Sequence, residues 1–177
     1  MAIENVLIEG DEGLTAVCCT SNLTLQAINN FLERVKCQDD KERLPHTLTL
    51  ILDLGMTYSG ASAELRGEDP STSVRGPFLG MGYFRIHEVL KEMIEHTGSD
   101  LLESDWFLVL DERSDETQSA VMVNIGDLGV RSLRVDYPVS ARYLAAAAIT
   151  NPPIDELAET VGEGGILRDW MTLDLPC

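Results

Sequence analysis

The apolar positions of this chain follow two spacings. In "SNLTLQAINNFLERVKC", Leu25, Ile28, Leu32 and Val35 recur three or four residues apart, which places them on one face of a helix. Ser21, Asn22 and Thr24 stand before the run and can accept from its first free N–H groups. The polar "QDDKERLP" then reads as a connector closed by Pro45. The same spacing returns in "FRIHEVLKEMIEHTG", where Ile86, Val89, Leu90, Met93 and Ile94 line one face and Gly98 supplies the stop. Alanine content predicts a helix in "ARYLAAAAI". In "NPPIDELAETVG", Asn151 can cap a further helix, and Pro152 and Pro153 take positions whose N–H groups would be unpaired anyway. Asp155 and Glu156 favour its positive end, and Gly162 ends it.

The second spacing is that of strands. "TLTLILDL" is apolar on both parities, as a central strand buried on both faces must be. "WFLVLD" and "SAVMVNI" predict two strands joined by the acidic "ERSDETQ", a hairpin. In "SLRVDY", Leu133, Val135 and Tyr137 alternate with Arg134 and Asp136, and Asn5 to Ile8 suits a short strand before Gly10–Gly13. Between Gly55 and Gly82, five further positions (Gly60, Gly67, Gly76, Pro70 and Pro77) break any regular pattern, together with Gly80. That segment reads as a flexible loop, either a lid or a tolerated insertion. With no internal repeat, the expectation is one domain of α/β or α+β class: a single mixed β-sheet with packed helices, and residues 1–45 added to it as a strand-helix extension.

Composition narrows the partners. The 177 residues are 44% hydrophobic and 24% charged, ordinary for one globular domain, but carry a formal charge of −17. Such a chain repels phosphate backbones and anionic lipid, so the expectation is no nucleic acid and no membrane. A basic protein partner, a cationic ligand or a small apolar metabolite is left. The four cysteines, Cys18, Cys19, Cys37 and Cys177, show no Cys-x-x-Cys spacing, and there are only three histidines. No metal site and no cofactor are therefore expected. "MAIENVLIEGDEG" has no basic start before an apolar run, and no apolar run approaches the ~20 residues of a membrane helix. The chain reads as reduced, soluble and cytoplasmic.

Candidate chemistry is sparse. Asp53 and Asp111 each end an apolar strand, where ligands gather in open α/β sheets. They are candidates for an acid/base pair or a cation site, or each simply starts a turn. His87 is a candidate general base, or a boundary histidine; His96 lies where a helix end favours a cation. "GMGYFR" opens a helix, but Arg85 stands where the dinucleotide pattern needs a third glycine. No Gly-x-Ser-x-Gly elbow or P-loop is present, and Asp111, Glu112, Asp115 and Glu116 lack calcium-loop spacing. Tyr83, Phe84, Trp106, Tyr137 and Tyr143, with Trp170, are candidates to line an apolar ligand pocket, or else core. Arg134 and Arg168, in the apolar settings "SLRVD" and "GILRDW", each need a carboxylate or a bound anion; Asp136, Asp155 and Asp169 are the internal partners considered.

Leu133–Arg134–Val135, Ile149–Thr150–Asn151, the helix "IDELAETV" and Gly165–Ile166–Leu167–Arg168–Asp169–Trp170 follow in this order over residues 133–170. In these residues the chain resembles the C-terminal part of an uncharacterised domain family of small acidic bacterial and fungal proteins. "WFLVLDE", "AVMVNI" and "TLTLILDL" look like that family's preceding strands. "PVSARYLAAAA" departs from it, standing where the family carries a polar, tryptophan-containing run. The resemblance implies a domain and no reaction, and it implies that Arg134, Asn151 and Arg168 hold the fold together.

Two functions follow as expectations. One is a non-catalytic protein- or ligand-binding domain whose association with a basic partner weakens with salt. The other is a cofactor-free isomerase or cyclase, of pericyclic (Diels–Alder) type, acting on a small apolar metabolite in a biosynthetic pathway. The second needs a shaped aromatic pocket, with Asp53, His87, Asp111 or Arg134 as its polar contacts.

Overall fold

The run "LTAVCC", for which no strand is predicted, forms an interior strand of the main sheet. In the computed structural model, which describes residues 3–9, 12–149, 152–162 and 164–168, the elements run as follows. First come β1 (Glu4–Glu9), β2 (Leu14–Cys19), β3 (Leu23–Thr24) and α1 (Leu25–Glu42). Then follow β4 (Leu48–Leu50), β5 (Gly60–Arg66), β6 (Ser73–Val74), α2 (Tyr83–Thr97) and β7 (Leu102–Leu110). The last group is α3 (Ser114–Thr117), β8 (Ser119–Gly126), β9 (Gly129–Asp136), a 3₁₀ turn (Tyr137–Val139), α4 (Ser140–Ala148), α5 (Ile154–Val161) and β10 (Ile166–Leu167).

The main sheet has six strands in the order β10-β9-β8-β7-β2-β4. The pairs β10–β9, β7–β2 and β2–β4 are parallel, and β8 runs against both of its neighbours. This is a mixed sheet with helices, as the two spacings predict. Alternate residues of each strand feed two apolar layers. Val17, Leu50, Leu108, Met122 and Val135 join the layer covered by α1, α4 and α5. Ala16, Ile51, Phe107, Val109 and Val123 join the layer covered by α2 through Ile86, Val89, Leu90 and Met93. Each fully buried Leu, Ile or Phe contributes about 1.5–3 kcal/mol, so the two layers together hold the fold.

Three boundaries differ from the expectation. Residues 1–45 are no added extension, because β2 lies between β7 and β4 inside the sheet. The "QDDKE" stretch continues α1 to Glu42. Lys36–Asp40 at 2.7 Å and Gln38–Glu42 at 2.5 Å bridge successive turns, and Asp39 faces inward. The segment 55–82 is not a bare loop: β5 pairs antiparallel with β1, and β6 with β3. Asn29 of α1 clamps Leu65 of β5 from both sides, donating to its carbonyl at 2.8 Å and accepting its N–H at 2.7 Å. These partners lie 36 residues and more apart in the chain, so local glycines and prolines hide the strand. The expected helix caps are partly found. Thr24 caps α1 by accepting from Ala27 N–H at 3.1 Å, and Gly98 and Gly162 end α2 and α5. Pro153 stands at the N-cap of α5, and Asn151 falls outside the described residues. No described helix is long and apolar enough to cross a membrane.

Candidate functional site

The sheet has two ends at which side chains gather. At the C-terminal ends of the parallel strands, β7 delivers Asp111 and β9 delivers Arg134, and the two form an ion pair. Their side chains are only 16% and 10% exposed. Asp111 Oδ1 accepts from Ser114 Oγ at 3.0 Å and Arg113 N–H at 3.1 Å, while Arg134 Nη1 donates to Ser119 Oγ at 3.3 Å. Burial by itself would raise the Asp111 carboxyl; the Arg134 hydrogen bond and charge, with Ser114 and Arg113 N–H, outweigh it and hold the carboxyl below the ordinary value. Tyr83 lies alongside, its hydroxyl shifted up by burial and by the Asp111 charge. Arg134 thus has an internal carboxylate, and its partner is Asp111 rather than Asp136 or Asp155; Asp169 lies outside the described residues. A cleft of about 570 Å³ passes this pair, lined by Tyr83, Arg113, Arg134 and the glycines after α5. Asp111 bonds Arg134, Ser114 and Arg113 N–H, and Arg134 bonds Asp111 and Ser119, so the arrangement ties β7, β8 and β9 together.

At the opposite end, register aligns Trp106 of β7 with Asn124 of β8, and Asn124 with Arg131 of β9. All three project to the face that carries α4 and α5. Arg131 Nη2 donates to Asn124 Oδ1 and Nη1 to Asp155 Oδ2, both at 3.0 Å, and Asn124 Nδ2 donates to the Asp105 carbonyl at 3.2 Å. Asn124 is 5% exposed, so the row is fixed from below. At this end of the sheet the row lines a cleft of about 700 Å³ together with Lys91 and Glu95 of α2, Glu103 and Asp105 of β7, and Ala148 of α4. At its edge His87 Nε2 meets Asp105 Oδ1 at 2.9 Å, and His87 Nδ1 is buried without a partner among the described residues.

The remaining candidates scatter. Asp53 is exposed and accepts from Gly55 N–H at 2.8 Å, the turn-starting role. It lies beyond β4, and β2 separates β4 from the strand of Asp111. Tyr137 is core, edge-on to Phe31 with ring centroids 5.0 Å apart, and its hydroxyl is shifted up mainly by burial. Tyr143 lies under Arg142, 5.1 Å from its guanidinium carbon. Phe84 is 60% exposed beside His87. Among the described residues the aromatic set therefore shares no single cavity: Tyr83 lines one cleft and Trp106 the other, and Trp170 lies outside the described residues. Arg168 is exposed, so its apolar sequence setting does not imply burial. Burial raises the Asp136 carboxyl, and the charges of Arg168 and Arg34 partly offset that rise. The adjacent thiols Cys18 and Cys19 are buried, and burial pushes Cys19 up to about 12, which leaves it un-ionised at neutral pH. Among the described residues no group of three or more His, Cys, Asp or Glu side chains is placed to hold a metal ion.

The row Trp106–Asn124–Arg131 and the acids Glu95, Glu103 and Asp105 are not singled out by spacing. Trp106 is marked only as a large flat side chain, and the register that aligns it with residues 18 and 25 positions later is a tertiary fact. An asparagine in the apolar run "SAVMVNI" is the one local signal, since a buried amide needs partners. No protein-family model, curated protein or solved structure matches this chain.

Proposed function

We propose that this chain is a non-catalytic, cytoplasmic binding domain for a basic protein partner. One observation carries the reading. From Arg85 to Asp105, the outer side of α2, the turn after it and the start of β7 hold six acids, Glu88, Glu92, Glu95, Asp100, Glu103 and Asp105, against Lys91 and Arg85, the latter paired with Glu88 at 3.1 Å, and all six are exposed. An excess of one sign over a single face steers an oppositely charged protein and fixes its approach. The polar groups that an enzyme would need are engaged elsewhere: Asp111 by Arg134, Asp53 by its own turn and His87 by Asp105.

Affinity capture at low ionic strength, followed by reassembly with the purified partner, tests the reading. The partner is basic, and its affinity falls steeply as salt shortens the range of the field to about 8 Å near 0.15 M. Neutralising Glu88, Glu92 and Asp100 together slows association several-fold and flattens that salt dependence. A partner that is acidic, or one indifferent to salt and to the triple variant, contradicts the proposal.

A further inference from the structure

We infer that the cleft lined by Trp106 is the anchor site for a cationic side chain, lysine or arginine, on the partner's basic segment. The inference rests on the binding reading above and locates its specific contact. The cleft, about 700 Å³, has the volume of a small-ligand site and suits one or two residues of an extended segment. Trp106 supplies an indole face, which attracts a cation through its quadrupole and packs on the aliphatic stem of lysine or arginine. Glu95, Glu103 and Asp105 share the lining of the cleft with it. Glu95 and Glu103 enter no ion pair among the described residues, and the Oδ2 of Asp105 is bonded by none of them.

Two cations share the lining, and neither fills the anionic sites. Arg131, which lines the cleft, is taken by Asp155 and Asn124. Lys91, on the α2 side, leaves the three carboxylates in excess. The lining is also pre-set: Arg131 holds Asn124, and Asn124 holds the backbone beside Trp106. Little ordering is lost when a side chain enters such a site. An acidic or phosphorylated segment would meet three carboxylates against Lys91 and Arg131 there and is disfavoured by that excess.

A variant with Trp170→Phe makes Trp106 the sole indole and lets its emission report the cleft. The probe is a short capped peptide alternating arginine and lysine with glycine, titrated into the full chain at low and at raised salt, with spermine as a comparison. The expected result is a saturable change in Trp106 emission and an affinity that falls with salt, with spermine binding more weakly than the peptide. Trp106→Leu weakens the peptide about 3- to 30-fold, the value of a cation–aromatic contact, while keeping the salt slope. Trp106→Phe weakens it less, and serves in place of the leucine variant if that one loses its fold by circular dichroism. Glu103→Gln with Asp105→Asn weakens binding and also flattens the slope. Salt-dependent binding with no emission change and no effect of either Trp106 variant overturns the anchor but leaves the acidic-face reading standing. Spermine binding as tightly as the peptide shows a cation site without a peptide preference and overturns the assignment to a partner segment. If the peptide does not bind even at low salt, both readings fall.

Discussion

If the Asp111–Arg134 pair is scaffold, cutting it must cost stability in a way that reveals coupling. Replacing Arg134 by Met leaves a carboxylate, 16% exposed, with only Ser114 and Arg113 N–H as donors. Asp111→Asn keeps an acceptor for those donors but strands a guanidinium that is 10% exposed. Breaking a fully buried pair costs about 3–5 kcal/mol. The residual exposure and surviving hydrogen bonds bring each single variant to about 2–4 kcal/mol. In a chain of 177 residues, each kcal/mol moves Tm by about 2–4 °C, so each single variant melts roughly 5–12 °C lower. The double variant Asp111→Asn/Arg134→Met removes both charges and loses about 1–2 kcal/mol. Urea unfolding followed by circular dichroism at pH 7 closes the cycle, with a coupling of at least about 2 kcal/mol expected. The pH profile carries an independent sign. The carboxyl of Asp111 is lowered in the folded state, so its stabilisation is present above the unfolded value of about 3.9 and is lost as pH falls through the folded value. Arg134→Met shrinks that acid limb. Additive single variants, with coupling under about 0.5 kcal/mol, would refute the scaffold role and reopen this end of the sheet as a site.

Two further outcomes follow. Asp39, 2% exposed against Leu32, Val35 and Leu48, has its carboxyl raised to about 7, chiefly by burial and then by Glu42 and Asp40; the unfolded chain releases that proton near pH 4 and the folded one near 7, so stability falls across this window by roughly 2–4 kcal/mol and levels off above it, and Asp39→Asn removes the slope in a pH series of urea midpoints. Tyr58→Phe takes away the hydroxyl that accepts from Leu52 and Asp53 N–H and donates to the Asp53 carbonyl, each at 3.0 Å; the loss is about 1–3 kcal/mol by the same unfolding assay, and an unchanged midpoint would show that water replaces all three bonds.

What the chain's pattern reveals is local. α2 reads correctly because its apolar face, its Gly98 stop and its length are all within fifteen residues. The hairpin strands β7 and β8 read correctly because their partners are adjacent. β2 escapes because the six residues "LTAVCC" have neither helical nor alternating period; a strand buried on both faces needs neither. β5 escapes because its stability comes from β1 and Asn29, far away in sequence. The same division governs the sites. Asp111 and Arg134 are visible as polar residues in apolar runs, and their partnership is not. Arg168 shows the opposite case: in an apolar run it lies exposed, with its charge acting on Asp136. Trp106 is visible as an aromatic, yet its role depends on register across three strands and on the placement of α2.

The measurement closest to the central claim is a two-dimensional amide and indole NMR titration of the full chain with the capped arginine–lysine peptide at low salt. The account predicts that the largest shifts fall on the Trp106 indole N–H and on the amides of residues 91–95 and 103–106, with the Arg113 and Arg134 region unmoved. Shifts centred on Asp111, Arg134 and Tyr83, or spread evenly over the acidic surface, would contradict it.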